Sequence, residues 1–291
     1  MSFLKWVGGK NQIIDSILER IPSCNNYYEP FLGGGSVLFA VINDARAKRH
    51  FVSDINKYLI ITYEQIKNNY GMLITQLDDI QAEYNSSDVL QQEEYYYQKR
   101  TEFNEIKDSV NIADVDLHIA VLFLFLNKTG FRGLYRESKN GFNVPFGNYK
   151  NINFSNKLRN TSQLLQEVEL HNFTWKSIIG LVKKGDFVYL DQPYAKIDDK
   201  SFTKYHNVDF TMQDTVELFD FCKKLDIAGI EFLMSNSFTD AIYALITEYN
   251  FSFEKILCRR RINSKKPQST QDEVLIYNSN KKINKKNHKK R

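Results

Sequence analysis

Apolar residues fall along this chain in short runs that are continuous rather than alternating, each bounded by turn residues. Seven such runs are NNYYEPF (25–31), RHFVSDI (49–55), VELHNFTW (168–175), DFVYLDQ (186–192), IEFLMSN (230–236), FSFEKILC (251–258) and EVLIYN (273–278). All are rich in aromatic or β-branched side chains, which predicts strands. Strands that lack polar alternation belong to a sheet covered on both faces. Between them NQIIDSILERI, SVLFAVIND, WKSIIGLVKK, MQDTVELFDFCKKLD and FTDAIYALITEY carry the period of amphipathic helices. Strand alternating with helix predicts an α/β fold, a doubly wound Rossmann-like sheet of about seven strands.

The alternation breaks between residues 56 and 166. EEYYYQKRTEFNEIK and DLHIAVLFLFLNK predict helices there, with the LFLFL run at 122–126 as helix core. AEYNSSDVLQQ (82–92) reads as a loop, and TGFRGLYRESKNGFNVPFGNYKN as a polar, glycine-bearing stretch. The chain thus divides into a discontinuous α/β domain (1–57 and 166–278), a mainly helical insertion (58–165) and a lysine-rich tail (279–291) too polar to fold.

Composition narrows the class. With 291 residues, 42% hydrophobic and 25% charged, the chain can bury a full core. It has no apolar run of about 18 residues, so no membrane span is expected. MSFLKWVGGK has no signal-peptide core. Cys24, Cys222 and Cys258 share no paired spacing, and His50, His118, His171, His206 and His288 show no ligand spacing, so neither a disulfide framework nor a metal is expected. The expected setting is cytoplasmic, or nuclear or a viral factory if the source is a eukaryote or its virus. The net charge of +4 is uneven: the last fourteen residues hold seven Lys/Arg, leaving 32 basic against 35 acidic residues elsewhere, a body of −3. A nucleic-acid surface would have to gather its basic groups on one face.

Three constellations could carry chemistry. In YEPFLGGGS (28–36) a strand meets a glycine-rich turn that opens a helix; it is either a simple tight turn or a site of close approach for a nucleotide-like ligand. Asp54 stands 21 residues beyond Gly33, where a first βαβ unit places the acid that takes ribose hydroxyls. Neither G-x-G-x-x-G nor a P-loop is present, which favours a cofactor without pyrophosphate, such as S-adenosylmethionine, over a dinucleotide. LDQPY (190–194) ends the fourth core strand, at the sheet edge where such folds bind ligands. Its aspartate either caps a turn or, with a main-chain carbonyl and a flat ring beside it, holds an amine.

KWVGGK (5–10), EPFLGGGS (29–36), VSDIN (52–56), FLNKTGFRGLYR (125–136), FNVPFGNYK (142–150), GDFVYLDQPY (185–194) and DEVLIYN (272–278) together closely resemble the Dam-type adenine-specific DNA methyltransferases. The motifs follow the family's order over essentially the whole chain outside the tail. The resemblance implies an S-adenosylmethionine pocket formed by Trp6, Lys10, Glu29, Phe31, Gly33, Gly35, Asp54 and Asp191, with S-adenosylhomocysteine as product and no metal. Without the family context, Trp6 would be a surface aromatic and Lys10 a solvated lysine. The resemblance further implies catalysis by Asp191, Gln192, Pro193 and Tyr194 on an adenine flipped out of duplex DNA. Asp191 and the Gln192 carbonyl would accept hydrogen bonds from the exocyclic amine while Tyr194 stacks on the base.

Gln192 departs from the family's Asp-Pro-Pro-Tyr. Activity is expected to survive, because the position contributes a carbonyl; the alternative is a DNA-binding pseudoenzyme. An RNA or protein-amide methyltransferase fits less well, because those classes lack this insertion. The implied DNA-binding residues are Lys5, Arg132, Leu134, Arg136 and Asn143. Arginine is the commonest bidentate reader of guanine, although either arginine could contact phosphate instead. Arg136 matches a guanine-reading arginine. Arg132 stands where GATC-specific relatives carry asparagine, so a different short palindrome containing adenine, CATG for example, is expected. The run CRRRINSKKPQ (258–268), with Arg260 and Lys265, is either a phosphate clamp or a solvated loop. Double-stranded DNA is the expected partner and a cognate restriction endonuclease a candidate one, with the chain a monomer or homodimer.

Overall fold

In the computed structural model, residues 3–108, 116–194, 210–259 and 270–279 are described. A seven-stranded sheet forms from β1 (Cys24–Glu29), β2 (Ala47–Ser53), β5 (Val168–His171), β6 (Phe187–Leu190), β7 (Glu231–Ser237), β8 (Ser252–Arg259) and β9 (Thr270–Tyr277), in the order β5-β2-β1-β6-β7-β9-β8. Strand β9 alone runs opposite to the other six. The expected doubly wound α/β sheet is therefore present, with each of the seven predicted strands in it. Strand order reverses between β1 and β6, which opens a crevice at their carboxyl ends.

Both faces are covered, as the continuous apolar runs require. All four side chains of β6 are buried. Phe187 and Tyr189 join Tyr27 and Leu233 on one face; Val188 and Leu190 join Tyr28 and Met234 on the other. The second face is closed by α8 (Met212–Ile227) and α9 (Asp240–Tyr249). The first is closed by α1 (Ile14–Leu18), α2 (Ser36–Asn43) and the insertion.

The insertion comprises α3 (Lys57–Asn68), α4 (Tyr70–Ser86), α5 (Val89–Ile106), α6 (Asp116–Thr129), a hairpin of β3 (Glu137–Ser138) and β4 (Gly141–Phe142), and α7 (Ser155–Leu164). Helix α6 is apolar all round and sits centrally, against α3, α4 and α5; residues 122–126 are its buried core, as expected. Buried side chains run without interruption from Val52 and Phe187 of the sheet to Phe103 and Phe125 of the insertion. The two parts share one core.

Two local expectations fail. The segment 82–92 is helical except at Ser87 and Asp88: Asp88 caps α5, its Oδ1 accepting the Leu90 and Gln91 N–H groups while Gln91 Oε1 accepts its own N–H, so a polar run that reads as a loop is a helix junction. WKSIIGLVKK forms only a 3-10 turn over Trp175–Ile178, because Gly180 (φ +90°) takes the chain out of helical space. Among the described residues no helix is long and apolar enough to cross a membrane.

Candidate cofactor and nucleic-acid site

The glycine turn after β1 is shaped from beneath. Gly33 (φ +49°) and Gly35 (φ +66°) adopt left-handed backbone, and a Cβ on Gly33 would lie 2.9 Å from the Trp6 indole. No side chain caps α2 from its N-cap position, Gly35. The buried Glu29 does so instead: it accepts the Leu38 N–H, and the Tyr27 hydroxyl donates to its Oε2 at 2.7 Å. Burial pushes the Glu29 carboxyl up to about 8, even though the Tyr27 hydrogen bond opposes the shift. Asp54 Oδ2 accepts the Gly33 N–H and Oδ1 the Asn56 N–H, each at 2.9 Å, tying the turn to the end of β2. Phe31 meets Phe210 edge-on at 6.0 Å.

Across the crevice, Asp191 follows β6. Lys10 Nζ lies 2.8 Å from Asp191 Oδ1, donates to the Gly8 carbonyl at 3.0 Å and to the Tyr194 hydroxyl at 3.3 Å, and stands 3.9 Å from Glu273 Oε2. Burial pulls the ammonium toward neutrality, but Asp191, and behind it Tyr194, Tyr189 and Glu273, outweighs burial and holds the Lys10 pKa well above its ordinary value. Ser235 Oγ donates to Asp191 Oδ1 at 2.8 Å and is itself 3.2 Å from the Tyr189 hydroxyl. Burial raises the Glu273 carboxyl, against the pull of Lys10 and a hydrogen bond with Tyr194. Gln192 is buried, and among the described residues neither its side-chain nitrogen nor its oxygen has a hydrogen-bond partner. Pro193, next to it, is exposed.

The third group lies on the loop and hairpin after α6. Arg136 is exposed and oriented by Asn143: its Nε donates to Asn143 Oδ1 at 2.7 Å and its Nη2 to the Asn143 carbonyl at 3.2 Å. Arg132, also exposed, has φ +56°, with its guanidinium 5.2 Å from the Phe131 ring. Leu134 is half-buried. Lys5 Nζ donates to the Lys128 carbonyl at 3.1 Å and lies 3.6 Å over the Tyr149 ring, next to this loop. Arg260, Lys265 and the tail lie outside the described residues.

The sequence-predicted residues thus gather as a cradle, an acid pocket and a basic loop. Lys10 joins the first two: its N–H donates to Ser36 Oγ, at the start of α2, while its ammonium holds Asp191. Sequence reasoning missed Ser235, Tyr189, Glu273, Asn127 and Tyr135. Tyr189, Glu273, Asn127 and Tyr135 all lie in the quoted motifs, and Ser235 breaks an apolar run at the end of a neighbouring strand; those were the available signals.

An open α/β sheet with a glycine turn after β1, an acid after β2 and a second acid at the switch point is the arrangement of nucleotide-cofactor folds, the methyltransferases among them. The chain belongs to the D12 class N6 adenine-specific DNA methyltransferases, whose family model matches residues 6–287. It is 37% identical to the Type II methyltransferase M.MjaIII of Methanocaldococcus jannaschii over 288 residues, 95% of this chain and 98% of that one. It is 32% identical to the Type II methyltransferase M1.LlaDCHI of Lactococcus lactis subsp. cremoris, covering 85% of each chain. To the DNA adenine methylase of Escherichia coli K12 it is 32% identical, over 81% of this chain and 80% of that one. It is accordingly an S-adenosylmethionine-dependent, adenine-specific DNA methyltransferase, as the sequence motifs implied.

Proposed function

We propose that this methyltransferase acts on an adenine flipped out of a short duplex site, with Asp191 and the Gln192 main-chain carbonyl holding its exocyclic amine. The observation that carries this reading is the Lys10 bridge, which fixes the acid pocket to the glycine cradle. The cradle residues Gly33, Gly35, Asp54 and Trp6 would hold S-adenosylmethionine: a Cβ at Gly33 would strike Trp6, and one at Gly35 would come within 2.6 Å of the Tyr63 hydroxyl, so the turn packs in this shape only as glycine. The bound cofactor supplies a methyl group activated by a sulfonium.

The chain's residues do the rest by placement. Asp191, its carboxylate fixed by Lys10 and Ser235, would accept a hydrogen bond from one amine N–H and the Gln192 carbonyl a hydrogen bond from the other, which aims the nitrogen lone pair. Tyr194, anchored at its hydroxyl by Lys10 and Glu273, presents its ring to the base. Such alignment supplies up to about 7–11 kcal/mol in favourable cases. The insertion (58–165) reads the flanking bases through Arg132, Leu134 and Arg136, with Asn143 orienting Arg136. Arg132 favours a site other than strict GATC. A cognate restriction endonuclease is the candidate partner by analogy with the Type II relatives.

The buried amide of Gln192 favours one second reading, a DNA-binding protein that has lost turnover. Methyl transfer by this chain is compared with Gln192→Pro. Comparable turnover in both supports the first reading, and turnover in the proline variant alone overturns it.

A further inference from the structure

The cofactor wall and the base-reading loop are joined by one buried amide. Asn127, near the end of α6, is 6% exposed and uses both ends of its side chain. Its Oδ1 accepts the Lys5 N–H at 3.0 Å, while its Nδ2 donates to the Lys5 carbonyl at 2.8 Å and to the Gly133 carbonyl at 3.0 Å. Backbone approach here is close enough that a Cβ on Gly133 would sit 2.3 Å from Lys5 Cβ. One residue beyond Lys5 and two beyond Gly133, the ring of Tyr135 stacks on Trp6, with centroids 6.2 Å apart and planes 25° apart. Tyr135 is buried between Leu134 and Arg136, and its hydroxyl donates to Glu137 on β3 at 2.9 Å. Trp6 in turn fills the space beside Gly33.

We propose that Asn127 and Tyr135 are positioning residues that clamp the reading loop to the cofactor wall, so that engagement of the correct duplex and affinity for the cofactor are linked. The inference rests on the site assignments under Proposed function. Residues 5–6 and 130–136 form one hydrogen-bonded and stacked unit, and neither segment shifts without the other. A ligand that holds either segment leaves the other already placed, and the second ligand meets a smaller ordering cost. By linkage the effect is reciprocal. Neither Asn127 nor Tyr135 needs to touch DNA or cofactor for this.

The test measures the dissociation constant of S-adenosylhomocysteine for the full-length protein in the presence of two duplexes. One carries the site identified by mapping methylated adenine in DNA from expressing cells, and the other is a scrambled control. Wild type is expected to bind S-adenosylhomocysteine at least about fivefold more tightly with the specific duplex, the lower end of ordinary coupling. In Asn127→Ala and Tyr135→Leu the ratio is expected to fall to about one. Leu73→Val, a core substitution on α4 remote from the clamp, is expected to lower the melting temperature while keeping the ratio. Should Asn127→Ala not fold, Tyr135→Leu carries the test. Trp6→Ala must weaken S-adenosylhomocysteine, and Arg136→Ala must weaken preference for the specific duplex; failure of either overturns the site assignments. If both behave so, a wild-type ratio of one, or a full ratio in the clamp variants, overturns the coupling alone.

Discussion

Lys10 and Asp191 form an ion pair at 2.8 Å, with side chains 3% and 20% exposed, at the point where the glycine turn and the end of β6 face each other. A pair so placed is costly to break from one side, because the remaining charge is left without its partner. Lys10→Met is expected to lower unfolding free energy by about 3 kcal/mol, toward the lower end of the range because Asp191 is partly exposed. Adding Asp191→Asn should restore a large part of that loss in urea unfolding. Strictly additive losses would show that the two residues are not energetically joined.

Glu29 gives stability a pH dependence. Its carboxyl, raised by burial to about 8 from an ordinary 4.5, stays protonated in the folded protein where the unfolded chain has released the proton. Stability therefore falls as pH climbs from about 4.5 to about 8 and levels off above that. Glu29→Gln keeps an acceptor for Tyr27 and removes the titration. Denaturant melts at a series of pH values should show a shallower slope for the variant across that window, and parallel curves would contradict the assignment.

Gly33→Ala places a methyl group against the Trp6 ring on backbone of positive φ. The expected cost is about 1–2 kcal/mol in stability. Displacement of Trp6 should add a loss of S-adenosylhomocysteine affinity of about tenfold, or about 1.4 kcal/mol, by calorimetry. An unchanged affinity would remove Trp6 from the cofactor wall.

Gln192 buries an amide that has no partner among the described residues. Gln192→Met keeps the chain's length and its main-chain carbonyl, and it is expected to raise stability by about 1 kcal/mol with methyl transfer retained. Loss of methyl transfer in a stabilised variant would show that the side-chain amide serves the substrate.

Arg132 holds left-handed backbone, which asparagine tolerates better than arginine. Arg132→Asn should gain about 1 kcal/mol and move the methylated motif toward GATC. Methylation-sensitive sequencing of DNA from cells expressing each variant reads the change, and identical motifs would make Arg132 a phosphate contact.

The sheet was legible in the sequence because its strands are short apolar runs whose local composition decides them, as in DFVYLDQ. The same local reading failed at AEYNSSDVLQQ, where a cap on Asp88 and a junction of only two residues let polar helices read as a loop. In the site, Asp54 and Asp191 stand out because they follow strands at expected spacing. Ser235 and Glu273 act on Asp191 and Lys10 only because β7 and β9 lie next in the sheet order, which no local window contains. Asn127 and Tyr135 are harder still: each meets the N-terminal segment more than a hundred residues away.

The single core that runs from Val52 and Phe187 into Phe103 and Phe125 limits how new target sites can be acquired. The insertion is not a portable module: transplanting it whole would expose apolar surface on both donor and recipient. If Arg132 and Arg136 read the bases, as proposed above, new specificity is more accessible through substitutions at such exposed positions of residues 131–136 and the neighbouring hairpin, which leave the helices beneath undisturbed. On the proposed assignment, target choice can be altered at a few surface positions while the buried helices keep their packing.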